Sequence, residues 1–296
     1  MTAMLPVEFG GSGPVLHLAH ANGFPPGTYR PLAEALADRY RVIALPARPL
    51  WSDQRPESSP TWRPLADDLV RGMDELGLAG VVGVGHSLGG VLTLWAANRR
   101  PDLFRCVVLI DPVIFPPAYL CLVRAFRRLG LIRHLPLIQR ALKRRRSWPN
   151  RQACFEQYRS KAFFANWSDP ALWAYVQSAT RLRDDGTVEL VYPPEWEAHI
   201  FATMPTDVWG ELPRLSVPAL VIRGGSSPTF RPEAARRMAR HLPGASFVTI
   251  PHAGHLVPME RPAETAEVIL GFLDSSACCR EPRDRIRCRG SIEGKE

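Results

Sequence analysis

The chain is expected to fold as an α/β protein, an open and mostly parallel sheet flanked by helices, with a helical segment inserted between two of its strands. Three observations predict this. Short apolar runs alternate with amphipathic stretches over the first third of the chain, the alternation stops near residue 113, and it returns near residue 219. Strands that alternate with helices build parallel sheets, because each crossover helix covers one face of the sheet. With 296 residues, 46% of them hydrophobic, the chain is long enough for one large core. A chain of that size buries roughly three quarters of its unfolded surface and needs no disulfide or metal staple.

Residues 15–19, 41–45 and 81–84 are short apolar runs and read as strands, while 29–39 and 62–76 carry apolar side chains at helical spacing. A helix over 88–100, closed by Pro101, leads to a strand over 106–110 that ends at Asp111-Pro112. Beyond it, Tyr119, Leu122, Val123 and Phe126 share one helical face, with Arg124, Arg127 and Arg128 on the other. Residues 131–142 continue in the same style after Gly130, so the insertion reads as all-helical. A strand over 219–223, a helix over 233–241, a strand over 246–250 and a helix over 263–273 complete the layers. The expected organisation is a core of 1–112 and 206–274, a helical cap of 113–205, and a disordered, charge-rich tail of 275–296.

Composition narrows the function classes. The start lacks a basic segment leading into a sustained apolar stretch, and no apolar run approaches the roughly 18 residues of a spanning helix. A cytoplasmic location without a membrane span is therefore expected. Cys106, Cys121, Cys154, Cys278, Cys279 and Cys288 lack paired CxxC spacing and read as reduced thiols, with a partial metal site at the last three the lesser reading. No metal, organic cofactor or nucleic-acid partner is expected. The net charge of +8 comes from 34 Arg and 3 Lys, and residues 113–205 hold 14 of these cations against 7 acidic residues. A solvated polar face accounts for the basic cap helices; docking on an anionic membrane or an acidic substrate group is the alternative. Core packing accounts for most of Trp148, Trp167, Trp173, Trp196 and Trp209.

The chemistry concentrates where the apolar run at 81–84 enters Gly85-His86-Ser87-Leu88-Gly89 and then a helix. A serine on so sharp a strand-to-helix turn needs glycines two residues before and after it to avoid clashes. The turn exposes the hydroxyl at a helix N-terminus, where the dipole and free N–H groups favour an oxyanion. Gly83-x-Gly85-x-x-Leu88-Gly89 has the wrong spacing for a dinucleotide fingerprint. The hydroxyl also needs a base, and His255 lies between the last strand and the last helix, with His252 as a neighbouring competitor.

On these residues the chain resembles the α/β-hydrolase fold superfamily, serine hydrolases with a helical cap, from about Pro14 to Leu273. The resemblance maps the nucleophile elbow onto Gly85 to Gly89, the catalytic histidine onto His255, and the oxyanion donors onto the backbone N–H groups of Phe24 and Leu88. Two departures stand out. Ser227 occupies the turn after the penultimate strand where the family often places its acid, which leaves Asp111 as the acid, as in some members of the fold. Asp184, Asp207 or a Ser-His dyad are the alternatives. At the oxyanion loop, His20-Ala21-Asn22-Gly23-Phe24-Pro25 replaces the family's His-Gly-x-Pro, with Asn22-Gly23 standing in for His-Gly.

The resemblance implies a cofactor-independent, carboxylesterase-like serine hydrolase of a small-molecule acyl substrate that works through an acyl-enzyme. A serine at 87 in place of aspartate disfavours epoxide hydrolase and haloalkane dehalogenase chemistry. The same three residues would serve a carbon-carbon hydrolase, a thioesterase or a perhydrolase. A non-catalytic ligand-binding protein of this fold is the alternative from another class.

Overall fold

The structure, a computed structural model, describes residues 5–275. The tail beyond Ser275, with Cys278, Cys279 and Cys288, lies outside the described residues. In chain order the first elements are β1 (Val7–Gly10), β2 (Val15–Ala19), α1 (Arg30–Ala37), β3 (Arg41–Ala44), α2 (Arg63–Glu75), β4 (Val81–His86), α3 (Leu88–Arg99) and β5 (Phe104–Ile110). The chain then runs through α4 (Pro117–Arg128), α5 (Pro136–Leu142), β6 (Ser147–Trp148), α6 (Arg151–Arg159), α7 (Asp169–Ala179), β7 (Thr180–Leu182), β8 (Val188–Leu190) and α8 (Pro194–Ala202). It ends with β9 (Ala219–Gly224), α9 (Pro232–His241), β10 (Ser246–Ile250), α10 (Val257–Glu260) and α11 (Pro262–Ser275).

The main sheet has seven strands in the order β1-β3-β2-β4-β5-β9-β10. Every neighbouring pair is parallel except β1 with β3. This is an α/β-hydrolase fold. Alternation along the strands sorts side chains to two faces. Cys106, Val108 and Ile110 of β5 join Leu32 and Leu36 of α1 and Ile269 of α11, whereas Val107 and Leu109 join Leu69 of α2, Leu94 of α3 and Met238 of α9. Because β4 and β5 lie in the middle of the sheet, their strands are apolar nearly throughout, and α3 is buried from Leu88 to Ala97.

Three expectations need correction. The insertion is not all-helical: β6, β8 and β7 form a separate antiparallel sheet. Strands of two or three residues are too short to show alternation, although Asp185-Gly186, with φ of 81° at Gly186, is the turn that closes the β7–β8 hairpin. The antiparallel edge strand β1 was also missed, since it buries only Phe9 fully. On α4 the buried seam is Leu120 and Val123, and the apolar Tyr119 and Leu122 remain exposed. No helix among the described residues is long and apolar enough to cross a membrane.

Two histidines anchor the loop after β3 to the neighbouring strand. His17 Nε2 accepts from Leu45 N–H at 3.1 Å and His20 Nε2 from Ala47 N–H at 3.0 Å. Burial lowers the pKa of His17 to about 3 and of His20 to about 4, and burial also lowers that of His86 at the end of β4 to about 3. The folded protein therefore binds fewer protons than the unfolded chain once the pH drops below the ordinary histidine value. The stability tied to these neutral rings is complete above about pH 6.5 and declines as the pH falls toward the folded values. Calorimetric unfolding is expected to show a loss on the order of 2 kcal/mol per histidine between about pH 7 and pH 5. An unchanged melting temperature over that interval would contradict the neutral, buried assignment.

Candidate active site

The turn between β4 and α3 presents Ser87. Its backbone has φ of 56° and ψ of −114°, a left-handed geometry that L-residues avoid unless their surroundings enforce it. Here the ladder enforces it: Ser87 N–H donates to Ile110 C=O at 2.9 Å, and β2 and β5 grip β4 on either side. The flanking glycines are required by contact. A side chain at 89 would run into the carbonyl oxygen of Ala19, and one at 85 into that of Gly89.

Asp111 follows β5 directly, with φ of 42°, and is fully buried. A buried carboxylate needs donors for its lone pairs. Oδ1 accepts from His255 Nδ1–H at 2.7 Å and from Ser227 Oγ–H at 2.6 Å, and Oδ2 accepts from Gly224 N–H at 2.8 Å. Since Nδ1 carries the proton given to Asp111, Nε2 of His255 is the bare nitrogen, and Ser87 Oγ–H donates to it at 2.9 Å. Ser87, His255 and Asp111 are thus brought into one hydrogen-bonded line. The competitors lie elsewhere: His252 and Asp184 are exposed, and Asp207 pairs with Arg63.

A second polar line, not anticipated from the sequence, runs beneath the first. His86 Nε2 faces the carbonyl oxygen of His255 at 2.9 Å. A carbonyl can only accept, so Nε2 holds the proton and Nδ1 is bare. Tyr29 O–H donates to that Nδ1 at 2.7 Å, and its oxygen accepts Ala21 N–H at 2.8 Å. Burial first, then the nearby His255 ring, lowers the pKa of His86 to about 3 and keeps it neutral. The relay joins the loop after β2 to the backbone that carries His255. His86 is the variable residue just before the serine within its motif; Tyr29 had no sequence signal beyond its apolar helix.

The loop after β2 packs beside the elbow, and the resemblance draws one oxyanion donor from each, Phe24 N–H from the loop and Leu88 N–H from the elbow. Leu88 N–H opens α3 and has no acceptor within the helix by position. Phe24 N–H reaches back to Ala21 C=O at 3.3 Å, a long bond at the weak end of the range. The inserted segment clamps the same loop. Asn22 Nδ2 donates to Glu197 C=O at 3.0 Å, and its Oδ1 accepts from Tyr192 O–H at 2.9 Å. Arg144 pairs with the Glu197 carboxylate and donates to the hydroxyls of Tyr158 and Tyr175, while Phe24 rests on Trp167 and Tyr175. Among the described residues, no cluster of three or more His, Cys, Asp or Glu side chains is gathered for a metal ion.

Comparison with known proteins places this geometry in context. Residues 16–268 match the model of the alpha/beta hydrolase family. Over 268 residues the chain is 27% identical to the 2-(acetamidomethylene)succinate hydrolase of Mesorhizobium japonicum, covering 90% of this chain and 90% of that enzyme. A crystal structure of E-2-(acetamidomethylene)succinate hydrolase superimposes with a TM-score of 0.75 at 24% identity, over 91% of this chain and 94% of that one. A thermophilic esterase from Thermogutta terrifontis superimposes with a TM-score of 0.62 at 26% identity, over 92% of this chain and 93% of that one.

Replacing Tyr29 with Phe removes one hydroxyl and strands two buried groups, Ala21 N–H and His86 Nδ1. Urea denaturation of Tyr29→Phe is expected to show a loss of about 1–3 kcal/mol. A midpoint equal to that of the parent protein would show that the hydroxyl carries no net load.

Proposed function

Because the chain belongs to the alpha/beta hydrolase family, we propose that it is a cofactor-independent serine hydrolase that opens an ester or related acyl bond of a small molecule through an acyl-enzyme on Ser87. The observation that carries this reading is the hydrogen-bonded line from Asp111 through His255 to Ser87 Oγ. Its similarity to an enzyme named for hydrolysis of an acetamido compound, and to one named an esterase, supports the same bond class.

In the proposed reaction Ser87 Oγ attacks the substrate carbonyl carbon while His255 Nε2 takes the hydroxyl proton. The Asp111 carboxylate balances the resulting imidazolium and fixes its orientation. Negative charge gathers on the former carbonyl oxygen, where Leu88 N–H and the positive end of the α3 dipole favour it. Phe24 N–H is the second donor, and its long bond to Ala21 yields to a charged acceptor in front of the loop. The tetrahedral intermediate collapses, the leaving group departs with the proton from His255, and the acyl group remains on Ser87. Water then repeats the sequence, giving its proton to His255 and releasing the acid.

Ser227 takes a supporting part in this reading. Its hydroxyl donates to the oxygen of Asp111 that faces His255, and its own oxygen accepts from Thr229 N–H and Phe230 N–H, each at 3.2 Å. The lack of a carboxylate at 227 is the feature that would favour a non-catalytic protein of this fold. Asp111 offers one to the imidazole from the adjacent strand.

A fluorophosphonate is expected to label Ser87, and Ser87→Ala is expected to abolish both labelling and the hydrolysis of a short activated ester. Asp111→Asn should lower kcat by up to about four orders of magnitude. Full activity in Asp111→Asn would reject the acid assignment. The two backbone donors at 227 are already placed to receive a carboxylate, so adding Ser227→Asp to Asp111→Asn is expected to restore activity by at least about tenfold, an order-of-magnitude expectation from the worth of a hydrogen bond to a charged group. No gain in the double variant, with its fold intact by circular dichroism, would show that position 227 cannot serve the imidazole.

A further inference from the structure

We propose that the helix-turn-helix made by α4 and α5 docks the protein on an anionic lipid surface. From 113 to 155 the chain holds ten Arg or Lys residues and no Asp or Glu. Six of these cations are committed internally: Arg124 donates to Thr206, Arg127 to the carbonyls of Ala202 and Met204, Arg145 to the Ser147 carbonyl and Arg151 to Thr180, while Arg144 and Arg146 pair with Glu197 and Glu195. Arg128, Arg133, Arg140 and Lys143 are exposed, and no acidic side chain among the described residues forms an ion pair with them.

The same segment leaves apolar side chains in water. Leu129 is 69% exposed, Leu122 53%, Leu137 47% and Leu131 43%. Along α4 and the residue that caps its end, Tyr119, Leu122, Phe126 and Leu129 recur at intervals of three and four residues, a second apolar stripe beside the buried seam of Leu120 and Val123. The helices are fixed in this pose by contacts on their other sides. Leu120 and Val123 seat α4, while Ile138 and Ala141 pack against Ala198 of α8. The stripe is therefore not needed to hold either helix to the rest of the chain.

Charge selects the occupant. A second copy meeting this face about a twofold axis would bring two basic surfaces together, and like-charge juxtaposition opposes that contact. A small soluble anion would use the arginines and leave the leucines wet. A bilayer with acidic headgroups satisfies both, because aliphatic side chains enter the acyl boundary while the cations meet phosphates. The exposed apolar residues are leucines with a single tyrosine, a composition closer to an interfacial helix than to an aromatic-rich protein interface.

The test is co-sedimentation of the full chain with vesicles of phosphatidylglycerol and phosphatidylcholine, compared with vesicles of phosphatidylcholine alone. Binding to the acidic vesicles that weakens as salt rises is expected. Arg128→Glu, Arg133→Glu and Arg140→Glu together should weaken it by at least about 100-fold, at roughly fivefold per cation. Leu122→Gln with Leu129→Gln, which leaves every charge in place, should weaken it by about tenfold or more. Equal binding to neutral vesicles, no binding to acidic ones, or binding indifferent to both variants would overturn the proposal. So would light scattering that shows a dimer dissociated by Leu122→Gln with Leu129→Gln, which would assign the face to a second copy. All five positions lie outside the Ser87 site, so turnover of a water-soluble ester reports on that site independently.

Discussion

A fully buried carboxylate governs the arrangement of this molecule. Burying an ion is tolerable only where donors replace water, and Asp111 collects its donors from three places: the end of β9, the turn at Ser227 and the loop carrying His255. The first two belong to the connection that leaves β9, and the third to the loop after β10. Satisfying one carboxylate therefore brings together the carboxyl ends of β5 and β9 and the loop after β10. The left-handed backbones at Ser87 and Asp111 belong to the same solution. Each costs of order 1–3 kcal/mol in isolation, and each is held by ladder bonds, Ser87 N–H to Ile110 and Asp111 N–H to Ile222.

Around that centre the loop after β2 is held from two directions. From below, Ala21 N–H, Tyr29, neutral His86 and the His255 carbonyl form one directed chain. From above, Asn22 ties the loop to Glu197 and Tyr192 of the inserted segment, and Arg144 closes the cluster. In the proposed reaction, donors held in place from both sides would need little reorganisation when negative charge develops before them, which is the condition under which backbone N–H groups stabilise an oxyanion most. On that reading the insertion bears on the chemistry through the loop it clamps.

Much of this was legible in the letters because the physics was local. The central strands announce themselves as apolar runs, since both faces of a parallel sheet are covered. The elbow is readable because close approach at Gly85 and Gly89 leaves no room for side chains. His255 and Asp111 could be picked out by position at strand ends, and their side chains do meet. What escaped depends on long-range contact. Nothing near Ser227 in sequence tells that it donates to a residue 116 positions away, nor does Tyr29 reveal that its hydroxyl meets a histidine 57 positions on. The small sheet of β6, β8 and β7 has strands of only two or three residues, too short for alternation to stand out. On α4 the periodicity was real, but it holds two adjacent apolar stripes, and helical spacing alone does not say which one faces inward.

The centre of this reading is a covalent bond between Ser87 and the acyl group. Mixing the protein rapidly with a chromogenic ester, and following both the released alcohol and the intact mass, tests that bond directly. The expected result is a burst of alcohol equal to about one per chain, with an acyl mass increment that maps to the peptide containing Ser87. Turnover that shows neither a burst nor an adduct when deacylation is slowed, with the label absent from Ser87, would contradict it.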